Sequence, residues 1–429
     1  MHMKKIIKKI ALLLIVFCIG VGVTLLYTNN KYGVYEKEET KQIKKHVDTI
    51  SMMLETEAKS GNYERTTRES WPTEGYVFNT TLSKCENGGE LSWDDEKKVV
   101  LMSGNVSDKC YVYFDVYVPP RFDEICDETT LACHVAKLYT GTQGENGIYY
   151  HDSSLTNGAG DSSYRYSGAN PNNYVCFGSN ESTCPTDNLY RIIGVFGNNV
   201  KLIKYDYGTT DELGTDGDYS KTYKEWGMDS TYKGTYGDGE RIGVYYWNNA
   251  TQTNTWSESL LNKTNLNTNF INNIGEEWAN KIATTTWKVG GNTYSNIYSK
   301  TPSVVYQNEI VSPVTTNTTD NATEYTAKIG LMYVSDYGFA ADPSAWTLTM
   351  GSYNNTTATS TNWMYMGLYE WTLSRDAGYS DVAFSVYRDG NLYYYTVRSL
   401  SAVRPSFSLE SSITYASGSG TQSDPIRIN

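Results

Sequence analysis

The sequence predicts an α+β protein: an N-terminal transmembrane helix, a stalk helix, a small disulfide-stapled β-module and a larger β-rich domain. Three observations predict this order: an uncharged apolar run, a following segment without glycine or proline, and many short strand-like runs from residue 71 onward. At 429 residues, the chain is long enough for two or three domains. The predicted parts are 1–27 (cytoplasmic tail and transmembrane anchor), 28–63 (stalk helix), 64–120 (β-module), 121–150 (connector) and 151–429 (β-rich domain).

The N-terminal segment has the composition of a signal anchor. MHMKKIIKK carries four lysines, and residues 10–27 form an uncharged run of 18 residues. A bilayer core needs about 20 apolar residues, and Ile6 and Ile7 with snorkelling lysines extend the run. The segment lacks good signal-peptidase, lipoprotein and prepilin processing patterns. Because the lysines precede the run, we predict a single-pass protein of the cell membrane with a cytoplasmic N-terminus and an extracellular bulk.

The segment after the anchor has a helical pattern. Residues 36–60 contain no proline or glycine, and four apolar residues repeat at 4-3-4 spacing: Ile43, Val47, Ile50 and Leu54. This spacing predicts a stalk helix that ends at Gly61-Asn62. The stripe spans about two heptads, fewer than a stable coiled coil requires, so dimerisation into a homo-oligomer stays open.

The cysteines agree with an extracellular location. Cys18 lies in the apolar run, and the six others allow fifteen pairings. We predict disulfides between sequence neighbours, because each pair lies within one local unit: Cys85–Cys110, Cys126–Cys133 and Cys176–Cys184. No pair has the C-x-x-C spacing of a zinc or redox site, so we predict no metal bound by cysteine. Disulfides imply an oxidising compartment.

Strand and helix patterns fill the rest of the chain. Between residues 71 and 118, YVFNTTL, GELSW, KKVVLM and KCYVYFDVYV predict the strands of the β-module, and Pro119-Pro120 closes it. In the last domain, LYRIIGVFGNNVKLIKYDYG predicts a hairpin around Gly197. SESLLNKTNLNTNFINNI (257–274) predicts a helix, and IGLMYVSDYGFA (329–340) predicts a buried strand that enters a turn.

The composition excludes one class of partner and favours another. The net charge is −12 and no basic block occurs outside the N-terminus, so we predict no nucleic-acid binding. The chain has 38 tyrosines with much asparagine, threonine, serine and glycine. Such a composition is typical of surfaces that bind through rigid amphipathic rings. A plain extracellular β-protein has the same composition, and this alternative stays open.

Catalytic and metal-binding motifs are weak. Of four histidines, only His134 and His151 lie outside the tail and stalk, and no G-x-S-x-G follows a strand. Carboxylates that a hydrolase would use are Glu276, Glu277, Asp336, Glu370, Asp376, Asp381 and Asp389. Residues 211–220 contain several acidic residues. They do not match the EF-hand pattern, because Lys221 and Gly227 occupy the sixth and twelfth loop positions, where glycine and glutamate are required. We predict no cofactor, with a calcium loop of another kind left open.

Two C-terminal segments resemble a known domain. GLYEWT (367–372) and SAVRPSFSL (401–409) resemble the end of the C-type-lectin-like domain of the formylglycine-generating-enzyme type. The VRPSFSL strand and the GSGTQSDPI ending also resemble membrane-anchored surface proteins of Gram-positive bacteria. The resemblance covers about residues 150–429 and implies a C-type-lectin-like scaffold. The copper and iron ligands of the related enzymes are missing, since no cysteine follows Cys184 and no histidine follows His151.

The functional prediction concerns one hairpin that turns at Asp389-Gly390. Its candidate ligand-binding residues are Tyr387, Arg388, Asp389, Asn391, Tyr393 and Tyr395. Strand alternation puts Tyr393 and Tyr395 on one face and Tyr394 on the other. Aromatic rings stack on sugars, and hydroxyls and amides give directional hydrogen bonds. We predict a non-catalytic adhesive surface protein that binds an extracellular glycan or protein. The alternatives are a self-assembling envelope protein or a carboxylate-based hydrolase, and Trp371 and Arg404 are interpreted as structural.

Overall fold

The computed structural model of the chain describes residues 50–103, 108–226, 232–237, 239–313 and 323–429. With 21% of residues in helices and 30% in strands, the protein belongs to the predicted α+β class. The chain divides into two compact units between Pro119 and Pro120. We describe each unit separately.

The predicted membrane anchor, residues 10–27, lies outside the described residues, as does the first part of the predicted stalk. Within the described part of the chain, no helix has the length and hydrophobicity that a membrane span requires. The anchor therefore stays a prediction.

The first unit is built around one central strand. Its strands are β1 (Ile50–Glu55), β2 (Tyr63–Arg65), β3 (Tyr76–Phe78), β4 (Lys84–Cys85), β5 (Glu90–Asp94), β6 (Val99–Ser103) and β7 (Cys110–Val116). β7 pairs with β1 in parallel and with β3 and β4 antiparallel, while β2 extends the sheet beyond β1. β5 and β6 form a separate two-stranded ribbon. Met52, Val112 and Phe114 are the buried centre of a small core.

The predicted stalk helix is wrong where the structure describes it, because Ile50–Glu55 is strand β1. Ile50 and Leu54 are four residues apart, a spacing that puts them on one face of a helix and also on one face of a strand. In the strand, Met52 lies between them on the same face, and all three belong to the core of the first unit. The available edge of β7 favours the strand, since β1 pairs with it over five residues.

The second unit contains several small sheets connected by short helices. Its strands are β8 (Ile148–His151), β9 (Ser163–Tyr166), β10 (Tyr174–Cys176), β11 (Leu189–Phe196), β12 (Asn199–Lys204), β13 (Tyr219–Thr222), β14 (Gly243–Tyr246), β15 (Thr285–Lys288), β16 (Gly291–Asn292), β17 (Glu324–Ala327), β18 (Glu370–Asp376), β19 (Val382–Val386), β20 (Leu392–Thr396), β21 (Leu400–Ser401), β22 (Ser406–Ser408), β23 (Tyr415–Ser417) and β24 (Arg427–Ile428). The largest sheet has the order β22-β12-β11-β9-β8, with β10 also paired to β11. A four-stranded sheet has the order β16-β18-β19-β20, which leaves β20 at its edge.

The helices of the second unit are short. Those with α or π hydrogen bonding are Phe122–Ile125, Leu131–Ala136, Thr210–Leu213, Tyr223–Trp226, Leu261–Phe270, Ile271–Ile274, Glu276–Ala279, Tyr294–Ile297, Pro302–Tyr306, Gln307–Val311, Val334–Ala340 and Thr356–Thr361. Single 3₁₀ turns occur at Glu145–Gly147, Thr186–Asn188, Pro343–Ala345 and Met350–Ser352. Leu261–Phe270 has π-type hydrogen bonds and continues directly into Ile271–Ile274.

Two sequence predictions in this unit are confirmed. β11 and β12 form the hairpin around Gly197, with Phe196 paired to Asn199. A helix occupies most of residues 257–274 despite its many asparagines. The structure gives the reason for these asparagines, because their side chains hold neighbouring loops. The Asn265 amide, for example, donates to the carbonyls of Leu213 and Asp216 at 2.8 and 3.0 Å.

The interpretation of residues 329–340 as a buried strand that enters a turn is wrong. Residues 329–333 contain only an isolated β-bridge between Gly330 and Ser406, and Val334–Ala340 is a buried helix. An uninterrupted apolar run does not distinguish a buried strand from a buried helix. Side-chain carboxylates at the helix start explain the outcome. Asp336 Oδ2 accepts from the Tyr333 N–H at 3.0 Å, and Glu309 accepts from the N–H groups of Val334 and Ser335. These bonds satisfy donors that a helix N-terminus leaves unpaired.

The three disulfides join the predicted partners: Cys85–Cys110, Cys126–Cys133 and Cys176–Cys184. Each closes a loop within one unit. The first staples β4 to the central strand β7 of the small sheet, where Cys85 and Cys110 are also a cross-strand pair.

Candidate binding site on the β19–β20 hairpin

The predicted hairpin at Asp389-Gly390 is present. β19 and β20 pair antiparallel from Val382 opposite Thr396 to Val386 opposite Leu392. The loop is tight: the Tyr387 N–H donates to the Asn391 carbonyl at 2.8 Å, and the Gly390 N–H donates to the Tyr387 carbonyl at 2.9 Å. Asp389 is exposed, and its Oδ1 accepts from the Asn391 N–H at 3.2 Å.

The tip of this hairpin is fixed to the core of the second unit. The buried Tyr337 hydroxyl donates to the Gly390 carbonyl at 2.8 Å, and the buried Tyr365 hydroxyl donates to the Arg388 carbonyl at 2.5 Å. Two buried anchors hold the backbone on which the candidate residues lie. The side chains around the tip are therefore presented from a rigid support, which lowers the entropy cost of binding.

Gly390→Ala is expected to lower the free energy of unfolding by about 2 kcal/mol, because Gly390 has φ of +93° and an added Cβ would lie 2.6 Å from Thr359 Cγ2. Chemical denaturation of the full chain measures this loss. Gly197→Ala is the matched control, since Gly197 has φ of +62° with nothing within 4 Å. The control should lose only about 1 kcal/mol. Equal losses at the two positions would contradict a tightly packed tip.

The side chains on and beside the hairpin form a row of partly exposed tyrosines that we call the tyrosine strip: Tyr294, Tyr298, Tyr369, Tyr387, Tyr393, Tyr394 and Tyr395. At its centre, the rings of Tyr387 and Tyr395 stack with centroids 5.0 Å apart. Tyr369 contacts this pair, with its ring centroid 5.0 Å from that of Tyr387. Tyr393 connects the pair to the other end of the strip, 5.4 Å from Tyr387.

The far end of the strip joins a second element to the hairpin. Tyr294 and Tyr298 stack with centroids 4.6 Å apart, at the start and just after the end of the Tyr294–Ile297 helix. Tyr294 lies 5.6 Å from Tyr393 and 4.8 Å from Tyr394. The strip therefore runs from this helix across the edge of the four-stranded sheet to Tyr369.

The residues of β20 alternate between the two faces of the sheet, as predicted, but their tyrosine rings do not stay on separate faces. Tyr393 and Tyr395 pair with Ser385 and Ala383, whereas Tyr394 pairs with Phe384 on the other face. The Tyr393 and Tyr394 rings nevertheless stack at 4.8 Å. β20 is an edge strand, so two neighbouring long side chains can meet around the edge. Tyr394 thus belongs to the strip, although the alternation prediction separated it from Tyr393.

The structure brings together some of the predicted binding residues and adds others. Tyr387, Tyr393 and Tyr395 are in the strip, while Arg388, Asp389 and Asn391 form the loop at one end. Sequence reasoning missed four members of the strip: Tyr294, Tyr298, Tyr369 and Tyr394. The four-residue spacing of Tyr294 and Tyr298 is a helical signal that could have paired these two rings with each other.

The candidate catalytic carboxylates have separate structural partners. Glu370 accepts from Arg404 Nε and Nη2 at 2.7 and 2.9 Å. Asp336 binds Lys201, and Asp376 accepts from the N–H groups of Gly378 and Tyr379. The other four are not buried: Glu276, Glu277, Asp381 and Asp389. The buried carboxylates therefore stabilise the fold through separate contacts. Trp371 and Arg404 are both fully buried, as expected of structural residues.

In the acidic loop at residues 211–220, two carboxylates accept hydrogen bonds from other groups of the protein. Asp218 is buried and accepts from the N–H groups of Asn249 and Leu261 at 2.9 and 2.8 Å, while Asp216 accepts from the Asn269 amide. The burial of Asp218 raises its pKa.

Within the described residues, one group of potential metal ligands is close together: Cys85, Asp108 and Cys110. Its cysteines form a disulfide, and Asp108 accepts three backbone N–H bonds.

The two histidines of the second unit have aromatic surroundings. The His134 ring stacks on Tyr415 at 3.7 Å. His151 is fully buried near Phe339 and Trp346, and its Nδ1 accepts from the Ala159 N–H at 3.1 Å. Burial holds the pKa of His151 well below its ordinary value.

Two surface clefts, of about 440 and 420 Å³, are separate from the tyrosine strip, because neither is lined by one of its tyrosines.

Comparison with known proteins gives no relative: no family model matches the chain, and no curated protein or solved structure matches it. The resemblance to a C-type-lectin-like domain and to surface proteins of Gram-positive bacteria therefore stays a prediction.

Proposed function

We propose that the protein is a non-catalytic, membrane-anchored surface protein whose second unit binds an extracellular glycan through the tyrosine strip. In this proposal the second unit is a C-type-lectin-like scaffold. The observation that carries the proposal is the strip itself, a continuous row of seven partly exposed tyrosines beside a hairpin tip fixed by buried hydroxyls.

The chemistry of the strip suits a carbohydrate better than other ligands. Tyrosine rings offer apolar faces to the C–H groups of sugar rings, and their hydroxyls exchange hydrogen bonds with sugar hydroxyls. Arg388 and Asp389 add one charge of each sign at the loop, so the surface has no strong electrostatic preference. Because the rings form a row, the strip would contact successive residues of an oligosaccharide rather than one monosaccharide.

Substitution within the strip tests the proposal. The full-length chain, purified in detergent, is applied to an array of bacterial and host glycans, and affinity is measured for the best ligand. Replacing Tyr393 and Tyr395 together by alanine is expected to weaken binding at least about tenfold, since buried aromatic contacts contribute most of the energy at binding surfaces. Folding of the variant is checked by circular dichroism.

Tyr117→Ala is the control, because Tyr117 is an exposed tyrosine of the first unit, with 50% of its surface accessible. It should leave glycan affinity unchanged. Undiminished binding by the folded double variant would overturn the assignment to the strip. Self-association without binding to any glycan would replace the proposal with the self-assembling alternative.

A further inference from the structure

A second group of residues, none of which belongs to the strip, contains a buried amine and a buried carboxyl in contact. Lys201 on β12 and Asp336 near the start of the Val334–Ala340 helix are separated by 2.5 Å between Nζ and Oδ2. Their side chains are 8% and 3% exposed. The two residues are 135 positions apart in the sequence, so the contact joins distant parts of the second unit.

The surroundings of this pair are aromatic. The Lys201 Nζ lies 4.5 Å from the ring centroid of Tyr333, 5.4 Å from that of Trp287 and 5.8 Å from that of Phe196. Burial lowers the pKa of Lys201, which favours its neutral amine form. A neutral amine has a free lone pair and can act as a nucleophile.

The other charges of this region are balanced without the pair. Arg165 donates to Asp161 Oδ2 at 2.6 Å and to the Ser163 hydroxyl at 2.8 Å. Its distance to Asp336 Oδ1 is 3.8 Å, beyond hydrogen-bond range. Loss of the charges of Lys201 and Asp336 together would therefore leave Arg165 with its own counterion.

A second carboxyl group is held at the same helix start. Glu309 is 4% exposed and accepts from the N–H groups of Val334 and Ser335 at 3.1 and 2.9 Å. These two residues directly precede Asp336 in the chain. Ser374 also donates to it. Burial is the main cause that raises the pKa of Glu309 to about 7, and the charge of Asp336 acts in the same direction. The region thus contains an amine, a carboxyl and a second carboxyl that can hold a proton at neutral pH.

We propose that Lys201 and Asp336 condense into an intramolecular amide bond that crosslinks β12 to the Val334–Ala340 helix. The ammonium of Lys201 first gives a proton to the carboxylate of Asp336, which makes both groups neutral. The amine attacks the carboxyl carbon, a C–N bond forms, and one C–O bond breaks. The released oxygen leaves as water with two protons, so no oxidant or cofactor is consumed. Glu309 is a positioning residue that orders the helix start and supplies a proton-holding group.

Free amines and carboxylic acids do not condense to amides in water, but the fixed geometry of Lys201 and Asp336 favours this condensation. Reacting groups held in contact reach effective molarities of about 10⁵–10⁸ M. Such values exceed the concentration of water, and the water that is formed leaves an apolar site. The aromatic walls also exclude the water that would reverse the reaction.

Mass spectrometry of the unmodified full-length chain tests the proposal directly. After reduction of the disulfides and denaturation, the intact mass is expected to be about 18 Da below the value for the sequence, the mass of one water. Trypsin should yield a crosslinked pair of peptides that spans residues 192–204 and 329–375, because a modified Lys201 is not cleaved. The full sequence mass with both peptides free would overturn the proposal.

Variants identify the groups involved. Lys201→Arg should restore the full mass, whereas Lys204→Arg should keep the deficit, since Lys204 is also buried on β12 but binds Glu212. Glu309→Gln should leave a folded chain in which the crosslinked fraction is much reduced. A purely structural Glu309 would leave that fraction unchanged, which would remove it from the proposal. A deficit that persists in folded Lys201→Arg would refute the assignment to this pair.

Discussion

Arg404→Met is expected to lower the free energy of unfolding of the second unit by about 3–5 kcal/mol. Arg404 and Glu370 form a doubly hydrogen-bonded ion pair whose side chains are 1% and 2% exposed. Arg404 also donates to the Met364 carbonyl at 2.7 Å. Methionine preserves much of the side-chain volume but leaves the Glu370 carboxylate buried without its countercharge. The expected cost is that of the unpaired charge rather than of a lost cavity.

Chemical denaturation monitored by tryptophan fluorescence measures this cost. The matched control is Arg241→Met, because Arg241 pairs with Asp187 on the surface, with side chains 45% and 38% exposed. That substitution should cost less than about 1 kcal/mol. Adding Glu370→Gln to Arg404→Met should recover part of the loss, since the remaining group is then neutral. Equal costs for the buried and the surface arginine would show that the Glu370–Arg404 pair is not critical.

Most of the features predicted correctly from the sequence depend on short-range signals, and the Cys85–Cys110 disulfide, which spans 25 residues, is an exception. Cys176 and Cys184 are eight residues apart, and neighbouring cysteines in one local segment pair without knowledge of the whole fold. The turns at Gly197 and Gly390 both have positive φ, which their sequences indicate through glycine beside asparagine or aspartate. In each case the deciding interaction lies within about ten residues, so the local pattern was sufficient.

The wrong or missing predictions depend on distant partners. Ile50 and Leu54 are compatible with either a helix or a strand, and β7, some 60 residues later, decides for the strand. The tyrosine strip has a similar origin, because Tyr294 meets Tyr394 across 100 residues of sequence. No alternation or helical period relates such residues. The composition indicated an aromatic surface, but the identity of its members required the fold.

Glu309 is a further residue that sequence reasoning missed, and it predicts how stability changes with pH. Burial is the main cause that raises its pKa from the ordinary 4.5 to about 7. Between these values the folded chain holds a proton that the unfolded chain has lost. The free energy of unfolding should therefore fall as pH rises from about 4.5 to 7, by at most about 3 kcal/mol from this group. The stabilising contribution is complete below pH 4.5 and lost above pH 7.

Glu309→Gln isolates this contribution when Lys201→Arg is present in both compared chains, so that the proposed crosslink forms in neither; the chain that keeps Glu309 is called the wild type in this comparison. Glutamine does not titrate, and its carbonyl oxygen can accept from the N–H groups at the helix start. His151 acts in the opposite direction, because its lowered pKa makes the fold lose stability as pH falls below 6.5. The uncorrected profile of the wild type combines Glu309, His151 and the other groups whose pKa shifts on folding, such as Asp218. The difference between the wild type and Glu309→Gln removes the histidine. That difference should favour the wild type by about 3 kcal/mol more at pH 4.5 than at pH 8. Glu276→Gln, at an exposed position, controls for the loss of one carboxyl. Parallel stability curves for the wild type and Glu309→Gln would mean that Glu309 titrates alike in the folded and unfolded chains, and its backbone bonds would then offset the cost of burial.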